Sequence, residues 1–256
     1  MTSRSYAKYV ALIGALLPSA CIGPANAPSP QLLPATTGIF IGTSALSEAA
    51  PIFGIVSETG YALFSQDDAS GGFVYAIDDW NPYSSSIAYS YNAYAYGDST
   101  FLNSATIATG SMNGSGNPQA SLSGMLATSD GSSESFSVAY QKALYEMPAS
   151  IGLIQGSYSV DSYDSRGDPL SILLSVVSNG GVSGSDNKGC IYGGSLSVTN
   201  SMYNVYSAAI TRDCSDTSEL YSGLASLFPG QDTTPTTLHV ILAEATFGVH
   251  WRAVQQ

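Results

Sequence analysis

From Gly38 to Val254 the chain is written in short runs of apolar or alternating residues, each stopped within a few positions by Gly, Asn, Asp or Ser. No stretch in this region repeats its apolar residues at 3.6 positions for long enough to build a helix of ordinary length. Such a cadence restricts the chain to many short antiparallel strands joined by tight turns. The composition agrees. Seventeen Tyr and 26 Gly stand where charged residues usually would, and Asp, Glu, Lys and Arg together make only 10%, against an ordinary ~25%. Tyr fits a pleated surface, and Gly supplies turns. Many short strands also create many edges, which closed or nearly closed barrels remove. The expected fold is all-β: two tandem, related, antiparallel barrel-like or sandwich units.

The boundaries follow from the punctuation. Residues 37–144 form the first β unit and residues 157–256 the second, with a short linker helix at 145–156. The anchor glycines repeat: Gly156 and Gly189 each lie 118 positions after Gly38 and Gly71, and Gly180 lies 120 after Gly60. Leu170–Val177 answers the strand at Ile52, and the turn Ser185–Gly189 answers Asp67–Gly71. Tyr221–Ala225 echoes Leu122–Leu126 at a shorter offset, which places extra residues in the first half around Asn81–Tyr96. In the linker, Pro148 suits the first position of a helix. Ile151 and Ile154, three apart, would then share one buried face.

The N-terminus reads as a targeting segment over residues 1–20. Arg4 and Lys8 precede the apolar run Tyr9–Leu17, which is too short to span a bilayer. Leu17-Pro18-Ser19-Ala20-Cys21 resembles the lipobox of bacterial lipoproteins, in which the Cys becomes the lipidated first residue. The family places Leu three residues before the Cys; here Pro18 stands there. An ordinary cleaved signal that leaves a soluble secreted or periplasmic chain is the alternative. Residues 21–36, with Pro24, Pro28, Pro30 and Pro34, form a tether without a core. Lipidation at Cys21 would make the membrane a partner and put the chain in the bacterial envelope, on the outer membrane. After cleavage, five basic residues face 19 acidic ones, 5 − 19 = −14. That charge repels nucleic acid.

With Cys21 lipidated, Cys190 and Cys214 remain as an even pair in an oxidising compartment, where a disulfide is the default. Both flank a hairpin. A register centred on Asn200-Ser201 sets Cys190 opposite Thr211, and a bulge or curled strand end would then bring the sulfurs together.

Several stretches together carry a family resemblance: Tyr145–Ser150, Gly156–Tyr158, Gly181–Asp186, Gly189–Gly194, Tyr203–Tyr206 and Cys214. They resemble a group of uncharacterised proteobacterial lipoproteins with a lipid-acceptor Cys and a β-rich body. The resemblance covers most of residues 37–256 and is tightest over 145–225. It implies an envelope address and an all-β fold, and it brings no activity.

Catalytic signatures are missing. The chain has no Gly-x-Ser-x-Gly elbow, no His-Glu-x-x-His, no Walker loop and no dinucleotide-binding glycine fingerprint. His239 and His250 sit in apolar strands and read as locally bonded strand residues. The acid pairs Asp67-Asp68 and Asp78-Asp79 offer one ligand each at most, because neighbours on a strand face opposite ways. Ser185–Gly189 reads as a plain turn. No metal or cofactor is expected. Tyr89, Tyr91, Tyr94 and Tyr96 are the most distinctive local feature. Their change of phase suggests a bulge near Asn92-Ala93. They form either a structural Tyr ladder or an exposed patch for protein or glycan contact.

The function expected is a non-catalytic binding or structural role, with a protein, glycan or small apolar molecule as ligand. A periplasmic or secreted hydrolase is one alternative; it requires His239 or His250 in a cleft beside an acid and a Ser or Thr. A secretion- or pilus-associated subunit or an inhibitor is another. The anchor is testable first. Metabolic labelling with a palmitate analogue should mark the wild type and leave Cys21→Ala unlabelled; an unlabelled wild type would remove the lipid.

Overall fold

A computed structural model describes residues 36–44, 51–67, 70–102, 104–230 and 234–256. The signal segment, Cys21, most of the tether and Asp68 lie outside the described residues. Sixteen strands form two closed barrels in tandem. The first is built from β1 (Gly38–Ser44), β2 (Ile52–Val56), β3 (Ala62–Asp67), β4 (Gly71–Ile77), β5 (Ser86–Gly97), β6 (Ile107–Asn117), β7 (Ser121–Thr128) and β8 (Ser133–Tyr140). The second is built from β9 (Gly156–Tyr163), β10 (Pro169–Val176), β11 (Gly181–Asp186), β12 (Ile191–Val198), β13 (Tyr206–Asp213), β14 (Ser218–Phe228), β15 (Thr237–Ala243) and β16 (Gly248–Gln255).

Each barrel is an up-and-down meander in which every strand pairs antiparallel with its neighbours in sequence. β1 pairs β8, with Phe40 opposite Tyr140, and β9 pairs β16, with Ser159 opposite Val254. Among the described residues the first seam pairs over five positions and the second over two, which closes each sheet into a barrel. The period-two alternation then sorts side chains. Phe40, Phe64, Tyr75, Tyr91, Met112, Leu122 and Val138 fill the first barrel. The counterparts of the glycine repeat are turn positions. Gly60 and Gly180, at φ +87° and +85°, each close the turn between the second and third strands of a barrel, and a side chain at Gly180 would meet the Leu196 carbonyl at 2.2 Å.

Several expectations need correction. Tyr221–Ala225 lies in the sixth strand of its barrel and Leu122–Leu126 in the seventh, so that echo is one strand out of step. The extra residues of the first half lie in β5, 12 residues against 8 in β13, and in the connection 98–106. β5 runs without a bulge, in one continuous register against both β4 and β6. Instead of one helix over 145–156 there are two single turns, α1 (Lys142–Tyr145), which begins before that stretch, and α2 (Ile151–Ile154), and Pro148 lies between them rather than at a helix start. Ile154 is fully buried and Ile151 only partly. The tether ends one residue early: Thr36 is buried, its N–H bonds the Pro82 carbonyl, and its hydroxyl accepts from Trp80.

The barrels lie side by side. The outward face of β1–β5, with Ile39, Phe53, Ile55, Leu63, Val74 and Tyr94, joins one apolar cluster with the second barrel's Leu224, Ile241 and Ala243. Phe53 packs edge-on against Phe228 at 5.6 Å. The linker seals one end of the pair. Tyr145 stacks on Tyr203 at 4.7 Å, and its carbonyl accepts the Asn204 N–H. Near the same end, Asn200 donates to Glu58 of the first barrel.

The observed register pairs Ile191 with Asp213. It is shifted by three from the expected one, because the hairpin loop spans residues 199–205 rather than turning at Asn200-Ser201. Cys190 and Cys214 therefore face each other directly, with Cα atoms 4.4 Å apart, and are bonded without any bulge. Replacing both by Ala should lower the unfolding free energy by ~3 kcal/mol. Urea denaturation of the oxidised protein and the double variant measures this; coincident midpoints would contradict it.

Candidate functional site

The two barrels share a frame and differ at one end of the lumen. That end holds the β3–β4 and β7–β8 turns in the first barrel and the Cys190–Cys214 bridge in the second. It is opposite the end where Thr36 enters and the linker crosses.

In the second barrel this mouth is shut. Asp186, Tyr192, Arg212, Glu219 and Tyr221 all point inward by register. Arg212 donates from Nε and Nη2 to Asp186 at 3.2 and 3.1 Å and from Nη1 to Glu219 at 3.4 Å. Tyr192 donates to Asp186 and Tyr221 to Glu219. The other Asp186 oxygen accepts the N–H groups of Lys188 and Cys190, so the expected plain turn at 185–189 is also one wall of this network. Burial opposes ionisation of Asp186, but the Cys190 N–H, the Arg212 guanidinium and the Lys188 N–H hold its carboxyl below the usual value. Trp251 and Phe247 pack edge-on against Tyr192 and Tyr221. The space left is about 10 Å³, too small for a ligand.

In the first barrel the mouth is open. A cavity of about 220 Å³ runs into the lumen past Gln66, Phe73, Tyr75, Leu126 and Glu134. Phe101 and Leu102, from the β5–β6 connection, form its rim. Phe73 and Phe101 meet at 5.1 Å, and the Asp130 carboxylate pins the rim by accepting the Leu102 N–H at 2.8 Å. Deeper in, Tyr91 bonds Thr128 and stands edge-on to Tyr75. Tyr75 donates to Glu134 at 3.3 Å. Burial first, and the Glu134 charge second, push the Tyr75 hydroxyl well above its usual pKa, so it stays a donor.

The Tyr run at 89–96 is not an exposed patch. Tyr91, Tyr94 and Tyr96 are buried, and only Tyr89 is partly open, stacked on Trp80 at 4.6 Å. Odd positions of β5 point into the lumen, while Tyr94 and Tyr96 point outward and are covered by the second barrel. The phase change in the sequence therefore records two buried faces, not a kink.

The histidines meet between the barrels. His250 Nδ1 lies 2.8 Å from Ser65 Oγ and 3.1 Å from Asp67 Oδ1, and its Nε2 lies 3.0 Å from His239 Nδ1. Asp67 also pairs with Arg252 at 3.0 Å. A serine, a histidine and an acid are thus together, as the hydrolase alternative requires, but the wiring differs. In an acyl-transfer triad the serine and the acid use opposite ring nitrogens. Here both use Nδ1, and His239 occupies Nε2. Ser65 is wholly buried. This cluster joins β3 to β15 and β16, a polar strip within an otherwise apolar contact. Sequence spacing could not reveal it, since Ser65 and His250 are 185 positions apart. The open mouth, in contrast, had a signal: no Lys, Arg or His occurs from Tyr9 to Gln141, so acids inside the first barrel have no internal basic partner.

His239 is packed between Phe53 and Phe228. Burial, then His250 and Arg252, lower its pKa from 6.5 to about 2. The unfolded chain takes up a proton below about pH 6.5 that the folded chain refuses. Stability from this group is complete above that pH and falls on acidification, by at most ~1.4 kcal/mol per pH unit. Denaturant midpoints between pH 7.5 and 5 should fall for the wild type and fall less steeply for His239→Gln; equal slopes would contradict this.

The chain matches no family model, no curated protein and no solved structure, so the case for a function rests on these residues.

Proposed function

We propose that the protein is a lipoprotein of the bacterial outer envelope, held by an acylated Cys21, that binds a small ligand in the mouth of its first barrel without transforming it. The carrying observation is the contrast between the mouths, about 220 Å³ open in one and about 10 Å³ in the other. Two barrels of one architecture, one closed by its own side chains and one not, differ where a ligand would enter. The place suits a tethered receptor, because the mouth lies opposite the end where the chain arrives at Thr36. A cavity of ~150 Å³ is enough for benzene, so the ligand is about one ring in size. The buried Tyr rows argue against a macromolecule docking through them. The hydrolase reading has the Ser65–His250–Asp67 contacts in its favour and the shared Nδ1 and buried hydroxyl against it.

Ligand-observed NMR of the detergent-solubilised full chain against a fragment collection tests this. Single-ring fragments should bind and compete with one another, and Leu126→Trp, which fills the lumen, should abolish binding. Overpacking of this kind costs ~1–3 kcal/mol, so the variant's fold is checked by circular dichroism. Fragments that bind the folded Leu126→Trp protein as tightly as the wild type would refute the site.

A further inference from the structure

The geometry points to a small organic cation, an ammonium or guanidinium on an apolar body of about one ring, as the occupant of the first barrel's mouth. The inference rests on the reading of that mouth as a binding site and assigns the ligand's chemistry.

Tyr75 on the fourth strand of the first barrel and Tyr192 on the fourth strand of the second each point inward and donate to a carboxylate, Glu134 and Asp186 respectively. In the second barrel that carboxylate, with Glu219, is neutralised by Arg212, whose guanidinium fills the mouth. In the first barrel the guanidinium has no counterpart. From Thr36 to Tyr140 the sequence holds no Lys, Arg or His, so no residue of that barrel can stand beside Glu134 as Arg212 stands beside Asp186. By register Ala93 stands opposite Tyr75 where Arg212 stands opposite Tyr192, and the cavity lies against Tyr75 and Glu134.

The walls fit the same ligand. Phe73, Tyr75 and Phe101 line the cavity, and aromatic faces attract a cation within ~6 Å of the ring centre. Glu134 keeps one oxygen for Tyr75 and has the other for a charged donor. An anionic ligand would meet Glu134 and the Asp130 rim with no basic group nearby. A neutral ring would gain the apolar wall and forgo the carboxylate.

Calorimetry on the detergent-solubilised full chain at pH 7.5 separates these cases with three probes of one shape: benzylammonium, benzyl alcohol and benzoate. A hydrogen bond to a charged group is worth ~10-fold or more in affinity. Benzylammonium should therefore bind at least ~10-fold tighter than the alcohol, and benzoate weaker than either. Glu134→Gln should bring the ammonium down to the level of the alcohol, while Glu134→Asp should keep part of the preference. An alcohol that binds as tightly as the ammonium, or a folded Glu134→Gln protein that keeps the preference, overturns the cation and leaves the binding site standing. The cation is equally overturned if other fragments occupy the mouth and the ammonium does not compete with them. If no fragment enters the mouth at all, the binding site itself falls. Should Glu134→Gln fail to fold, the ranking of the three probes on the wild type decides.

Discussion

Backbone pairing around a closed circuit is the constraint from which the rest of this structure follows. Once β1 has found β8 and β9 has found β16, each sheet closes on itself, the second through two residue pairs at its seam. The alternation along each strand then has to resolve into an inside and an outside. The inside of an eight-stranded barrel is only wide enough to be filled by side chains or to hold one small molecule. The second barrel is filled by its own side chains, and the first keeps a cavity of about 220 Å³ at its mouth. Large residues decide which: Tyr192, Tyr221 and Trp251 close around Arg212 in the second barrel, while Phe101 reaches only the rim of the first.

The outside of the first barrel is unusual for a barrel wall, because half of it is not outside. Ile39, Phe53, Ile55, Leu63 and Val74 would be exposed on an isolated barrel and are buried by the second. The two units therefore depend on each other for the burial of these side chains, at roughly 25 cal/mol per Å² of apolar surface covered. The polar strip of Ser65, Asp67, His239, His250 and Arg252 interrupts that face. Its members bond one another across the contact, so a rotated or shifted docking would strand them.

The fold class was legible because it depends on local periodicity, which a single sequence carries. The strand runs and the turn glycines follow from patterns a few residues long, and the pairing of Cys190 with Cys214 follows from the cysteine count once Cys21 is set aside. The register of the β12–β13 hairpin was not legible: a loop of seven residues and one of two leave nearly the same apolar pattern, and only Asn204 and Val205, buried in the longer loop, distinguish them. The Tyr row misled for a related reason. Alternation reports how many faces of a strand are buried, but it does not say what buries them, and β5 is covered on one face by its own lumen and on the other by a barrel that begins some sixty residues later. The histidine cluster joins residues nearly 200 positions apart, so no local pattern could have announced it.

The uneven distribution of basic residues finally bears on why one lumen is plugged by charge and the other left open. A buried ion pair contributes little net stability, because desolvating both partners offsets their attraction. Arg212 and Asp186 are thus better understood as a plug of fixed shape than as a source of stability. Removing the cation from such a plug would leave Asp186 charged and unsolvated. The first barrel avoids that penalty differently. Glu134 is only partly buried and lies at a mouth that water can enter, so its charge is solvated when the lumen is empty. An empty first barrel is then a tolerable state, and the cation proposed for it would replace that water beside a carboxylate and aromatic walls. A site that must release its ligand as well as hold it needs both conditions, and the second barrel, sealed by its own arginine, meets neither.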